Sequence, residues 1–368
     1  MSDLLYSEIE EELRSSLRAL LADRCPPAAV LARCESPEPY DPALWRALAR
    51  ELGVTGLQVP EELGGAGASL RETAVVLEEL GRAAAPVPFL GSAVLATTAL
   101  LTACPEDALL PRIAGGERAA ALAVPFSTAP DAAFPATVRV DSAGTLNGRV
   151  TSVADALPAG LLLVPAIGGQ GAALYAVEAG AAGLGIVRRT SLDLTRQLAD
   201  VTLNGVPARR LAVGGAAEQA VRQALLTGAG LLASEQLGIA EWCLDTTVAY
   251  LKERRQFGRA LGSFQALKHR LADLWLEVVG ARAAARYAAD ALATGSADAA
   301  VGVAVAAAYC GAVAVRAAEE CVQLHGGIGM TWEHPAHLYL KRAKADQIAL
   351  GTPGHHRTLL AELVDLPA

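Results

Sequence analysis

Apolar positions along the chain change period twice, and each change marks a new kind of element. Leu4, Leu5, Ile9, Leu13, Leu17, Leu20 and Leu21 recur at three- and four-residue spacing with charges between them, which predicts an amphipathic helix over 4–21. Cys25-Pro26-Pro27 breaks it. Asp41 is placed to cap a short helix over 41–53, with Pro42 in its first turn and Gly53 ending it. A glycine-rich loop over 59–69 leads into a helix over 70–81, and a further apolar helix is expected over 91–103. Near residue 119 short strand-like runs begin, at 121–124, 137–140, 146–150, 161–164, 174–177 and 200–203, with Gly, Pro and Asp turns between them. The segment 141–148 reads as a hairpin connection. After residue 216 long helices return, over 218–251, 263–293 and 298–324, with a shorter one over 335–350. Short connections between them predict an antiparallel bundle. The expected class is α+β: an N-terminal α-helical domain (1–118), a central β-domain built as a barrel or sandwich (119–215), and a C-terminal four-helix bundle (216–368).

Composition narrows the function. The net charge of −8 and an aromatic content of 4% argue against a nucleic-acid partner, which needs a basic face and stacking platforms. Hydrophobic residues reach 52%, but apolar runs such as 301–308 are too short to span a bilayer, and the start of the chain lacks a signal-type pattern. A cytoplasmic protein without a membrane partner is expected. The six cysteines are scattered with no Cys-x-x-Cys, so buried thiols are expected rather than a disulfide or metal framework. His334/His337 and His355/His356 lack an accompanying cysteine or acidic cluster, and no metal is expected. The glycine-rich loop 59–69 is followed by an ordinary amphipathic helix without the rest of a βαβ unit, so it reads as a tight turn, not a nucleotide fingerprint.

Two motifs carry chemistry. Arg254-Arg255-Gln256-Phe257-Gly258, followed by Gln265, joins two predicted bundle helices. A guanidinium there can grip a pyrophosphate through two parallel hydrogen bonds, and Gly258 lets the backbone approach closely. The second begins Gln323-Leu324-His325-Gly326-Gly327 and continues through Lys341–Lys344 to 347–352. Together these resemble the acyl-CoA dehydrogenases, flavoenzymes that desaturate acyl-CoA thioesters between Cα and Cβ. The order of helical domain, β-domain and helical bundle is similar as well. The resemblance covers nearly the whole chain, strongly in the C-terminal third and weakly in the middle.

The resemblance implies FAD as cofactor. Arg254, Gln256, Phe257 and Gln265 would contact the FAD of a neighbouring subunit, and Gln323, Gly326 and Gly327 its adenine side. It also exposes departures. In many members a glutamate just before a Gly-Thr pair removes the α-proton; here that position holds Leu350. Relatives that carry the base on the long bundle helix would place it near Gly228, where no carboxylate stands; the nearest is Glu235. The segment 121–130 lacks the family's Thr-Glu-Pro and Gly-Ser-Asp stretches, whereas 191–207 is well kept. No catalytic residue is identified. The expectation is therefore a subunit for an acyl-CoA substrate, active in lipid or steroid degradation, that completes the FAD site of a related, glutamate-bearing subunit in a dimer-of-dimers heterotetramer. The alternatives are a self-sufficient homo-oligomer with an unusual base such as Glu235, a flavin-dependent monooxygenase on the same fold, or a scaffold that never holds flavin.

Overall fold

The computed structural model describes residues 4–366. Its first part is helical: α1 (Glu8–Arg24), α2 (Pro27–Cys34), α3 (Pro42–Arg50), α4 (Leu70–Arg82), α5 (Thr97–Ala103) and α6 (Leu109–Ala114). Local chemistry sets the boundaries. Ser7 and Glu10 form a reciprocal capping box at the start of α1, and Ser69 and Glu72 do the same for α4. Asp41 accepts hydrogen bonds from the N–H groups of Ala43 and Leu44, as its position before Pro42 predicts.

The expected helix over 91–103 is corrected. Phe89–Ala96 is a π-helix, wholly buried, and only Thr97–Ala103 is α-helical. A π-turn carries an extra residue per bond and typically marks a functional or strained place. The Gly91 N–H donates to the buried Asp155 carboxylate at 3.1 Å, tying this π-helix to the β-region.

The strands are β1 (Ala120–Leu122), β2 (Val138–Val140), β3 (Leu146–Ala154), β4 (Leu161–Gly168), β5 (Gly171–Glu178), β6 (Leu184–Arg188), β7 (Leu198–Val206) and β8 (Arg209–Val213). They form one mixed sheet in the order β6-β7-β3-β2-β4-β5-β8, with β1 pairing parallel to β4. β4 runs unbroken through apolar residues because both its faces are covered. Leu161 and Leu163 face the helical core, while Leu162 and Val164 face a second core enclosed by the sheet.

The remainder is α7 (Gly215–Glu253), a two-strand hairpin β9 (Arg255–Gln256) and β10 (Arg259–Ala260), then α8 (Gln265–Ala293), α9 (Ala299–His325), α10 (Ala336–Asp346) and α11 (Pro353–Leu363). The helix read over 335–350 stops at Asp346, and the turn after it carries Leu350. α4 packs closely on α7 through two glycines: a Cβ on Gly81 would lie 2.2 Å from the Glu235 carbonyl oxygen, and one on Gly238 would lie 1.8 Å from that of Glu78. Ala299–Met330 is long and apolar enough, by length and composition, to cross a bilayer, which corrects the reading of short runs only. In this fold it is a central bundle helix packed against α7, α8, α10 and α11. All six cysteines are free, and five are buried.

Candidate functional site

The hairpin β9–β10 projects from the bundle between α7 and α8. Gln256 pairs with Arg259, so Phe257 and Gly258 form a two-residue turn, with φ of 53° and 75°. Both central residues are left-handed, as a type I′ turn requires, a conformation that suits Asn-Gly and strains a phenylalanine. Phe257 is nonetheless 88% exposed, its ring edge-on to Phe264 with centroids 6.2 Å apart. A strained, exposed aromatic tip buries little apolar surface against its own chain.

Behind the hairpin lies a cavity of about 650 Å³ lined by Tyr250, Arg254, Arg270, Gln323, His325 and Gly327, among others. The structure thus brings Arg254, Gln323, Gly326 and Gly327 together. Gln256 and Phe257 stand outside this lining on the hairpin, and Gln265 opens α8. A Cβ on Gly326 or Gly327 would meet nothing within 4 Å, so bare backbone faces open space. Arg254 is exposed and has no ion-pair partner among the described residues. An unneutralised guanidinium beside a glycine turn fits an anionic dinucleotide. Three polar or ring-bearing members of the lining lie beyond the motif expectations: Tyr250 and Arg270 stand on the flanking helices, outside both motifs, and His325 lies inside the second with no role assigned. A larger cavity, about 730 Å³, lies between α1, α4, α7 and α8; it holds none of the motif residues, and its polar wall is closed by Arg14 with Glu78 and Arg286 with Glu10.

The two positions considered for a base meet in the interior. Leu350 is fully buried with φ 53°, and its N–H donates to the Phe126 carbonyl oxygen at 2.8 Å. A Cβ on Gly228 would lie 3.1 Å from Leu350 Cδ1 and 2.4 Å from Leu95 Cδ2. Leu95, from the π-helix, therefore fills the ground beside both. The nearby cavity lined by Ala349 and Gly351 is about 10 Å³, room for one water at most.

Comparison with known proteins decides the family. Residues 7–117 match the acyl-CoA dehydrogenase N-terminal domain and residues 218–364 the acyl-CoA dehydrogenase C-terminal domain. The chain is 38% identical over 358 residues to acyl-CoA dehydrogenase IpdE2 of Mycolicibacterium smegmatis, covering 97% of this chain and 99% of that protein. The chain belongs to the acyl-CoA dehydrogenase family. As a member of that family it is an oxidoreductase, and the family's cofactor is FAD. Among solved structures, a single-site variant of the Tcur3481-Tcur3483 steroid ACAD is similar with a TM-score of 0.87 and 33% identity, covering 97% of this chain and 98% of that chain. The ChsE4-ChsE5 complex from Mycobacterium tuberculosis is similar with a TM-score of 0.87 and 30% identity, covering 100% of each chain.

Against the acyl-CoA dehydrogenase chemistry, Glu235 is poorly placed. It is buried between two guanidiniums: Arg196 Nη2 lies 2.6 Å from Oε2, and Arg342 Nε 2.7 Å from Oε1. Arg196 also reaches Asp346 at 2.7 Å, and Arg342 reaches Thr195 Oγ1 at 2.7 Å. Burial pushes the Glu235 pKa up, but Arg196 and Arg342 outweigh it and hold the carboxylate at about 2. Burial and the adjacent Glu235 charge push Asp346 the other way, well above the usual carboxylate range. A group held ionised at about 2 is a feeble proton acceptor near neutral pH. Its partners lie far off in sequence, so spacing along α7 could not reveal them.

Proposed function

We propose that this chain is the base-deficient subunit of a mixed acyl-CoA dehydrogenase, completing the FAD site of a glutamate-bearing sister that acts on a bulky, steroid-type acyl-CoA. The observation that carries this reading is the meeting of Gly228, Leu350 and Leu95. Neither base position offers a carboxylate, the Leu350 N–H is already committed to Phe126, and leucine side chains fill the space. A positioned base contributes about 10²–10⁴-fold to such a proton abstraction. Leucine contributes none of it.

The cavity behind the hairpin supports the other half. When bound, FAD supplies the acceptor for the electron pair that leaves Cβ as the α-proton departs. Arg254 would hold its pyrophosphate, Gln323 and the Gly326–Gly327 backbone would meet its adenine side, and Gln256, Phe257 and Gln265 would reach it from the hairpin and the start of α8. The strain and exposure of Phe257 are accounted for when the tip seats in another subunit. The similar Tcur3481-Tcur3483 and ChsE4-ChsE5 structures are named as pairs of chains, one of them as a steroid ACAD, which supports both the division of labour and the substrate class.

Purification of this chain alone tests the reading. It should show no flavin bleaching on addition of a steroid-type acyl-CoA, and co-purification with a glutamate-bearing relative should restore bleaching. Full bleaching by the isolated chain would refute it.

A further inference from the structure

His325 is a buried ring in the Arg254 cavity whose hydrogen bonding is incomplete. Its Nδ1 lies 2.7 Å from the Cys321 carbonyl oxygen, one helical turn back. A carbonyl oxygen only accepts, so Nδ1 carries a proton and donates. The other nitrogen, Nε2, is buried and has no hydrogen-bond partner among the described residues. The ring is fixed by Tyr250, stacked at 4.4 Å, and by His334 at 4.1 Å. A locked imidazole with one idle nitrogen, 3% exposed and lining a cavity that also holds two arginines, is arranged for a ligand.

We infer that His325, as an imidazolium, donates an Nε2–H hydrogen bond to a phosphate oxygen of the dinucleotide held in this cavity, so that cofactor binding takes up a proton. The inference rests on the composite FAD site proposed above. The charge class follows from the surroundings: Arg254 has no ion-pair partner among the described residues, whereas Arg270 is matched by Glu320 at 2.6 Å. The titratable groups facing the ring come from three elements. α9 contributes Cys321, its sulfur 3.7 Å from Nδ1 and its pKa lowered to about 5 chiefly by the hydrogen bond with Cys243; α7 contributes Tyr250 and that Cys243; the turn before α10 contributes His334. Burial lowers the pKa of His325, but its bonds to Cys321 outweigh this and raise it above 6.5. Burial, followed by the His325 charge, pushes His334 down to about 4, so His334 is neutral beside it.

The test is FAD affinity of the co-purified complex, read by flavin fluorescence from about pH 6 to 9. The wild-type affinity should weaken roughly tenfold or more as pH rises across that range. His325→Gln keeps an amide donor near Nε2 without titrating, and should abolish the pH slope while retaining part of the affinity. His325→Phe keeps the ring packing and should lose roughly tenfold at the acidic end. Should the Phe variant fail to fold, the slope of the Gln variant still decides. An unchanged slope in His325→Gln, together with weakened binding in Arg254→Ala, overturns the role of His325 and leaves the composite site standing. Unchanged binding in Arg254→Ala overturns the composite site itself.

Discussion

A Cβ on Gly228 would stand 3.1 Å from Leu350 Cδ1, so two positions from distant parts of the chain close on each other through apolar atoms. Each is a position at which the family resemblance leads one to expect a carboxylate. On the proposed reading, their contact ties the missing base to a site packed with apolar atoms.

Restoring one carboxylate should therefore fail. Leu350→Glu inserts an acid where the residue's own N–H already serves Phe126 and the side chain faces Gly228, with Leu95 beside it. Burial without a partner costs about 2–3 kcal/mol and keeps the acid protonated. Urea denaturation should show that loss, and steady-state assays of the isolated variant should show no desaturation. Turnover by the single variant would contradict the packing argument.

Glu235 should behave as a structural anion. Glu235→Gln removes one of the two carboxylates that Arg196 and Arg342 share, leaving Asp346 to take up part of the charge, and should destabilise the chain by about 2 kcal/mol. In the co-purified complex, the rate of flavin reduction should hold at temperatures where the variant stays folded. Loss of flavin reduction with an unchanged denaturation midpoint would make Glu235 a base after all.

Asp155 gives a pH signature. Burial raises its pKa to about 6, with Arg196 and Arg342 pulling the other way. A carboxyl whose pKa is raised in the folded state stabilises that state below its unfolded pKa, and the contribution fades as pH rises to about 6. Asp155→Asn keeps an acceptor for the Gly91 N–H and cannot ionise. The variant should match the wild type near pH ~4 and exceed its stability by up to about 3 kcal/mol at neutral pH, as measured by denaturant midpoints across that range. Equal stabilities at both ends would remove Asp155 from the account.

The hairpin tip separates stability from assembly. Asn is at ease in the left-handed conformation that Phe257 occupies, so Phe257→Asn should leave the isolated chain as stable or up to about 1 kcal/mol more stable. In the complex the same change should weaken FAD retention severalfold, read as flavin released on dilution. A destabilised chain with unchanged retention would assign the ring to its own subunit.

The sequence made local features legible and distant ones opaque. Asp41 before Pro42, the apolar run 161–164 and the three-to-four spacing over 4–21 each report on neighbours within a turn or a strand, and the corresponding elements formed. Phe89–Ala96 is uniformly apolar and uniformly buried, so no periodicity distinguished a π-helix from an α-helix. The edge strands Leu184–Arg188 and Arg209–Val213 carry exposed arginines and lacked the expected alternation. The absence of a carboxylate at Gly228 and Leu350 could be read from the residues alone. That the two touch, with Leu95 beside them, required the fold to bring α7, the π-helix and the turn after α10 together.

Flavin stoichiometry addresses the central claim most directly. This chain, co-purified with a glutamate-bearing relative, should carry one FAD for each pair of chains, counted by flavin absorbance against total protein. Two FAD per pair, with both reduced by substrate, would contradict it.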